Sequence, residues 1–254
     1  MISNIGSHGT NDNQSVPTSL TAHKSPLALG SGISFGPSKK LLSFSILKLA
    51  RNALTRCKRR SPNDPMMDIL EVYILSVTGL EALVNEICLD KIDQRRGRKK
   101  SIGELRKLID DSGGHYVDLK SKFDRLPQLL WNVSFDKGGK TWCDFDALIN
   151  LRNDLVHYTP LWEKPGYIPN YLRSIYRRIS PQTKRSANKS TFLENLIHQD
   201  ASFVARICSV EMGQWAFDAG KAMIRELFVL WPRRDMMREE YIFLFERSGI
   251  SFRQ

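Results

Sequence analysis

The sequence predicts an all-α bundle, and three observations predict it. Apolar residues recur every three or four positions over long stretches from residue 39 onward. No convincing run alternates apolar and polar residues as paired strands would. Stop-and-start signals such as Ser61-Pro62-Asn63-Asp64-Pro65 separate the periodic stretches.

Residues 1–38 stand apart. They carry a single Lys24 and a single Asp12 and are dominated by Gly, Pro, Ser, Thr and Asn, a composition that does not repay the entropy of ordering. They are read as a flexible, low-complexity tail, with a short strand around residues 33–35 as the one competing reading. Residues 39–254 form the helical domain, with its core at roughly 64–232.

The first helix is marked by Leu41, Leu42, Phe44, Ile46, Leu47, Leu49, Ala50, Ala53 and Leu54, and ends in Cys57-Lys58-Arg59-Arg60. Asp64 suits an N-cap and Pro65 the first turn of the next helix. That helix, residues 65–94, is apolar on most sides and is expected to be central and buried. It ends before the basic run 95–100. Residues 101–111 give a shorter amphipathic helix through Ile102, Leu105, Leu108 and Ile109. Residues 118–130 give another, bent or ended at Pro127. Residues 144–158 form a helix stopped by Pro160, residues 171–179 a short one, residues 201–231 a long one closed by Pro232, and residues 236–247 the last.

Composition narrows the class further. The chain has 254 residues, 38 Lys plus Arg against 27 Asp plus Glu, and a net charge of +11. That charge suits a polyanionic partner but says nothing of fold. No uninterrupted apolar run approaches the roughly 20 residues of a bilayer-spanning helix, so no membrane role is expected. Residues 1–15 lack the basic start and apolar core of a secretory leader. Cys57, Cys88, Cys143 and Cys208 show no Cys-x-x-Cys spacing, which points to reduced, mostly buried thiols and a cytoplasmic setting. His8, His23, His115, His157 and His198 show no paired ligand spacing, so no metal site is expected.

Residues 144–158 are the most informative segment. With Arg152 set at zero, about 100° per residue puts Phe145 near +20°, Leu148 near −40°, Ile149 near +60°, Leu155 near −60° and Val156 near +40°. Arg152 thus projects from the middle of an apolar stripe. Asn153 and His157 lie about 100° and 140° away, one turn apart on a single edge. A guanidinium so placed needs an anionic partner: a side chain, a second subunit or a phosphate. Thr78, Glu81 and Asn85 form a polar stripe on the central helix, and Glu81 or Asn85 is expected to orient Arg152 or His157. Taken alone, such a pair also fits a plain helix-to-helix clamp.

Arg152-Asn153-Asp154-Leu155-Val156-His157 resembles the Arg-polar-x-x-x-His signature of the HEPN superfamily, small all-helical domains common in bacterial toxin and phage-defence systems. Leu80-Glu81-Ala82-Leu83-Val84-Asn85-Glu86 is similar to the acidic, Asn-containing first core helix of many members. Residues 206–231, with Trp215-Ala216 in the middle and Pro232 at the end, are similar to a late family helix. The likeness spans roughly residues 64–232.

The resemblance implies an elongated bundle of the HEPN type and metal-independent RNA cleavage by a homodimer, with no cofactor. His157 would act as general base or acid, Arg152 would hold the scissile phosphate, and Asn153 would orient His157 or the substrate. Glu81, Asn85 and Asp154 would support them. An antitoxin or regulatory protein is the further partner such systems imply. Tyr171, Arg173, Arg177 and Arg178 follow the motif as an expected RNA-contacting cluster, against the blander reading of a solvated face with Tyr171 and Tyr176 packed on the core. Trp131, Trp142, Trp162 and Trp215 are read as anchors of loops and core. A catalytically silent HEPN-like binding or assembly module is the second function class. A basic DNA-binding protein ranks last, because no helix-turn-helix spacing is recognisable.

Overall fold

The computed structural model describes residues 42–59, 66–94, 99–109, 117–157, 168–183, 207–247 and 250–251, all within the compact unit Lys40–Gln254. Among them are eight helices and no strand: α1 (Leu42–Arg59), α2 (Met66–Gln94), α3 (Lys99–Ile109), α4 (Leu119–Trp131), α5 (Lys140–Val156), α6 (Asn170–Thr183), α7 (Val210–Leu230) and α8 (Met236–Arg247). The tail at 1–38, the candidate strand at 33–35, the Asp64–Pro65 start signal, Arg95–Arg98 and Trp162 lie outside the described residues.

Helix α2 organises the core. Ile69, Val72, Tyr73, Val77, Leu80, Leu83, Val84, Ile87 and Cys88 are all sealed from solvent, as its nearly all-round apolarity requires. Its neighbour α1 runs antiparallel to it. Arg56 near the end of α1 pairs with Asp68 near the start of α2, and Ser43 at the other end donates to Glu86 through N–H (3.0 Å) and Oγ. Helix α7 runs parallel to α2, with Gly213 against Ile69 and Gly220 against Ser76 and Leu80. Helix α8 folds back on the far end, where Tyr241 Oη donates to Asp90 Oδ2 at 2.9 Å and Lys91 pairs with Asp235. Trp231 stacks on Trp131, ring centres 5.1 Å apart, and lies beside Phe228 and Tyr241.

By length and apolarity α2 alone among the described helices suffices to cross a bilayer, yet 56% of its most apolar window is buried within this chain. That is the situation of a core helix, and Asp68, Glu71, Glu81 and Glu86 interrupt it.

Several boundaries differ from the sequence expectation. Helix α4 neither ends nor breaks off at Pro127; it runs on to Trp131 and closes with Asn132 in the left-handed region (φ 57°). Its start is as read, because Asp118 caps it by accepting from Ser121 N–H at 3.0 Å. Helix α5 begins at Lys140 rather than residue 144, since the first turn contributes little apolar periodicity. Helix α6 continues past Ile179 to Thr183. Helix α7 does not start at residue 201. Ser209 is extended (φ −119°, ψ 152°), and its Oγ accepts from Met212 N–H at 3.1 Å, so apolar continuity hid an N-cap. The thiols are free, but only Cys57 and Cys88 are buried; Cys143 is exposed and Cys208 half-buried.

Candidate functional site

The site is built on the last two turns of α5 and the middle of α2. Phe145, Leu148 and Leu151 are sealed in the core and Ile149 nearly so, anchoring the helix. The last turn then leaves the core: Leu155 is half-buried and Val156 is 53% exposed. This corrects the position of Arg152, which flanks the buried face rather than bisecting it. Its side chain keeps 21% of its exposure, and its Nη2 lies 3.7 Å from Glu81 Oε2 on α2. Its Nη1 donates to Asn153 Oδ1 at 3.0 Å.

Glu81 therefore meets Arg152, as the polar stripe on α2 led us to expect. Asn85 plays a different part. Its Oδ1 accepts from Lys122 Nζ at 3.3 Å, and the same ammonium lies 3.3 Å from Glu81 Oε1. Thr78, the third member of that stripe, turns its hydroxyl onto the carbonyl of Ile74 at 2.8 Å. Lys122 was missed in the sequence, although it occupies the apolar face of α4 with Leu119, Phe123 and Leu126. The signal was the one that picked out Arg152: a cation at an apolar position.

His157 is the C-cap of α5, with φ −109° and ψ 64°, and its N–H donates to the Asn153 carbonyl at 2.8 Å. Its side chain is exposed. Asn153, expected to orient His157 or the substrate, gives its side-chain oxygen to Arg152 instead. Asp154 accepts from Tyr171 Oη, which ties α6 to the end of α5.

The basic cluster divides. Tyr171 and Tyr176 pack on the core as partly buried residues. Arg178 reaches Asp144, whose side chain is only 4% exposed and which also binds Lys140 Nζ at 2.8 Å. Arg178 is thus a structural partner of a buried carboxylate. Arg173 is exposed, and the side chain of Arg177 lies outside the described residues.

A groove of about 500 Å³ lies along α5 nearer its other end, between α1, α6 and α7. Its walls mix Lys58, Lys140 and Arg178 with Asp144, Glu211 and Asp218. Since α5 has 17 residues, Lys140 and His157 are about 25 Å apart along its axis. Among the described residues no three His, Cys, Asp or Glu side chains gather closely enough to hold a metal ion.

Fold and site define an all-helical protein with an Arg–Glu pair between α5 and α2 and an exposed histidine at the C-cap of α5. Comparison with family models, with curated proteins and with solved structures gave no match.

Proposed function

We propose that this chain is a metal-independent endoribonuclease, an elongated bundle of the HEPN type that acts in the bacterial cytoplasm as a toxin or phage-defence effector. One observation carries the reading. Arg152, oriented by Glu81 from a second helix, lies within a turn and a half of the exposed His157.

In this reading His157 accepts the proton of a ribose 2′-hydroxyl, whose oxygen attacks the adjacent phosphorus. The bond from phosphorus to the 5′ oxygen of the next nucleotide breaks, and that oxygen is protonated by an imidazolium. The products are a 2′,3′-cyclic phosphate and a free 5′-hydroxyl. Both proton transfers suit a side chain whose unperturbed pKa is near 6.5. Arg152 holds the phosphate and stabilises the charge growing on its oxygens through its fork of N–H donors. RNA supplies its own nucleophile, so the chemistry needs no cofactor. A second copy of the chain completes the cleft, Arg173 and the basic surface beyond the motif meet the strand, and an antitoxin or regulator restrains it.

One observation favours a second reading, a catalytically silent module of the same type that binds RNA or nucleotides or serves assembly: the Arg152 guanidinium is already ion-paired with Glu81 and donates to Asn153. The two separate in a single assay. Parent protein, His157→Ala and Arg152→Ala are incubated with mixed-sequence RNA in excess chelator. Cleavage by the parent alone supports the nuclease. Binding without cleavage by all three supports the module, and cleavage abolished by chelator overturns the metal-free mechanism. Sedimentation of the parent as a strict monomer overturns the shared cleft.

A further inference from the structure

We propose that Lys122 is a positioning residue of this site: it takes up the charge of Glu81, so that Arg152 keeps its own charge for a substrate phosphate. The assignment rests on the reading of the site as one that cleaves RNA.

Lys122 is 5% exposed. Burying an ammonium is costly unless it is paired and hydrogen-bonded, and here Glu81 Oε1 and Asn85 Oδ1 face Nζ at 3.3 Å each. The other carboxylate oxygen, Oε2, faces Arg152 Nη2 at 3.7 Å, beyond ordinary hydrogen-bond length. One carboxylate therefore stands between two cations, and the buried ammonium is the nearer. Counted over Lys122, Glu81 and Arg152, the cluster carries a net charge of +1. The thiol of Cys88 lies close enough to feel Lys122, but burial pushes it up to about 12 against that pull. It stays neutral at physiological pH and leaves the count unchanged.

The consequence is electrostatic. Were Glu81 matched to Arg152 alone, the pair would be neutral, and a phosphate would have to displace a carboxylate to reach the guanidinium. With Lys122 and Asn85 holding Glu81, Arg152 is oriented without being neutralised. A guanidinium has five N–H donors, and those not turned to Asn153 and Glu81 are available to an anion.

The test is a charge ladder. Inorganic phosphate is titrated into protein labelled with 15N-arginine, following the Arg152 side-chain resonance in the parent, Lys122→Met, Glu81→Gln and the double variant. The same three positions then carry +1, 0, +2 and +1. Phosphate affinity should follow that order, strongest in Glu81→Gln, weakest in Lys122→Met and equal in parent and double variant, with each step worth roughly fivefold. A merely structural Lys122 would weaken all three variants. Glu81→Gln binding more weakly than the parent overturns the proposal, as does a double variant no better than Lys122→Met, or a parent whose Arg152 ignores phosphate. Should Lys122→Met fail to fold, the double variant still decides: it removes the buried ammonium and its carboxylate partner together, and phosphate binding weaker than the parent's overturns the proposal. The nuclease reading stands apart: a parent that obeys the ladder but cuts no RNA leaves Lys122 in its role and removes the nuclease. A parent that cuts RNA on a flat ladder does the reverse.

Discussion

The close approach of α1 to α2 at Gly79 sets up a sharp prediction about the frame that carries Glu81. A Cβ at residue 79 would lie 2.6 Å from Leu47 Cγ and 2.8 Å from its Cδ2, about 1 Å inside an ordinary carbon contact. Leu47 is 2% exposed, and its Cγ is one bond from its Cβ, so relief needs a new rotamer in a packed core or a retreat of α1. Overpacking of this kind costs about 1–3 kcal/mol, offset by about 1 kcal/mol of helix propensity gained over glycine. Gly79→Ala should therefore destabilise by about 1 kcal/mol. Gly213 is the control. Its Cβ would meet Ile69 Cδ1 at 2.6 Å, the far end of its side chain rather than a branch point next to Cβ, so Gly213→Ala should cost less than Gly79→Ala. Urea unfolding followed by circular dichroism separates the two through their midpoints. Gly79→Ala as stable as the parent, or less damaging than Gly213→Ala, would refute the packing argument and the α1–α2 register behind it.

Two further predictions follow from the ion pairs. Arg178→Ala removes a partner from the nearly sealed Asp144, so it should cost about 2 kcal/mol in unfolding free energy while leaving RNA affinity unchanged; a loss of RNA affinity in a fully stable variant would return Arg178 to the binding surface. Asp235→Asn should leave the buried Lys91 poorly compensated and cost about 3 kcal/mol at pH 7. Burial pushes the Asp235 carboxyl up, but the Lys91 hydrogen bond, the Trp231 side chain, the Lys91 charge and the Met237 N–H together outweigh it and hold it below its ordinary value. A depressed carboxyl contributes stability above its unfolded pKa, about 3.9, and loses it as pH falls through the folded value. The gap between parent and Asp235→Asn should thus close on acidification; a gap unchanged at acid pH would contradict the pair.

Much of the frame was legible because helices write their burial into a period. The extent of α2 was readable from its apolar residues together with the Asp64–Pro65 start signal and the basic run after Gln94, and α8 has the bounds read for it. What escaped was of two kinds. Ser209 breaks an apolar run through a side-chain cap, and no periodicity marks such a break. Helix α5 leaves the core at Val156, and an apolar residue does not announce in sequence whether a neighbour covers it. At the site, Glu81 facing Arg152 was readable, since a cation on an apolar stripe demands an anion and α2 offered one. That Lys122 would claim the same carboxylate depended on where α4 docks, and docking is tertiary information. The diversion of Arg178 to Asp144 is of the same sort, because both belong to different helices and composition sees only clustered charge.

The most direct measurement uses a DNA strand carrying a single ribonucleotide, incubated with the protein in excess chelator and analysed by mass. The account predicts one cut, 3′ to that ribose, leaving a 2′,3′-cyclic phosphate and a 5′-hydroxyl, with none in His157→Ala. Cutting at deoxy positions, a linear 5′-phosphate product, or undiminished cutting by His157→Ala would contradict it, as would no cutting of this strand or of all-ribose RNA.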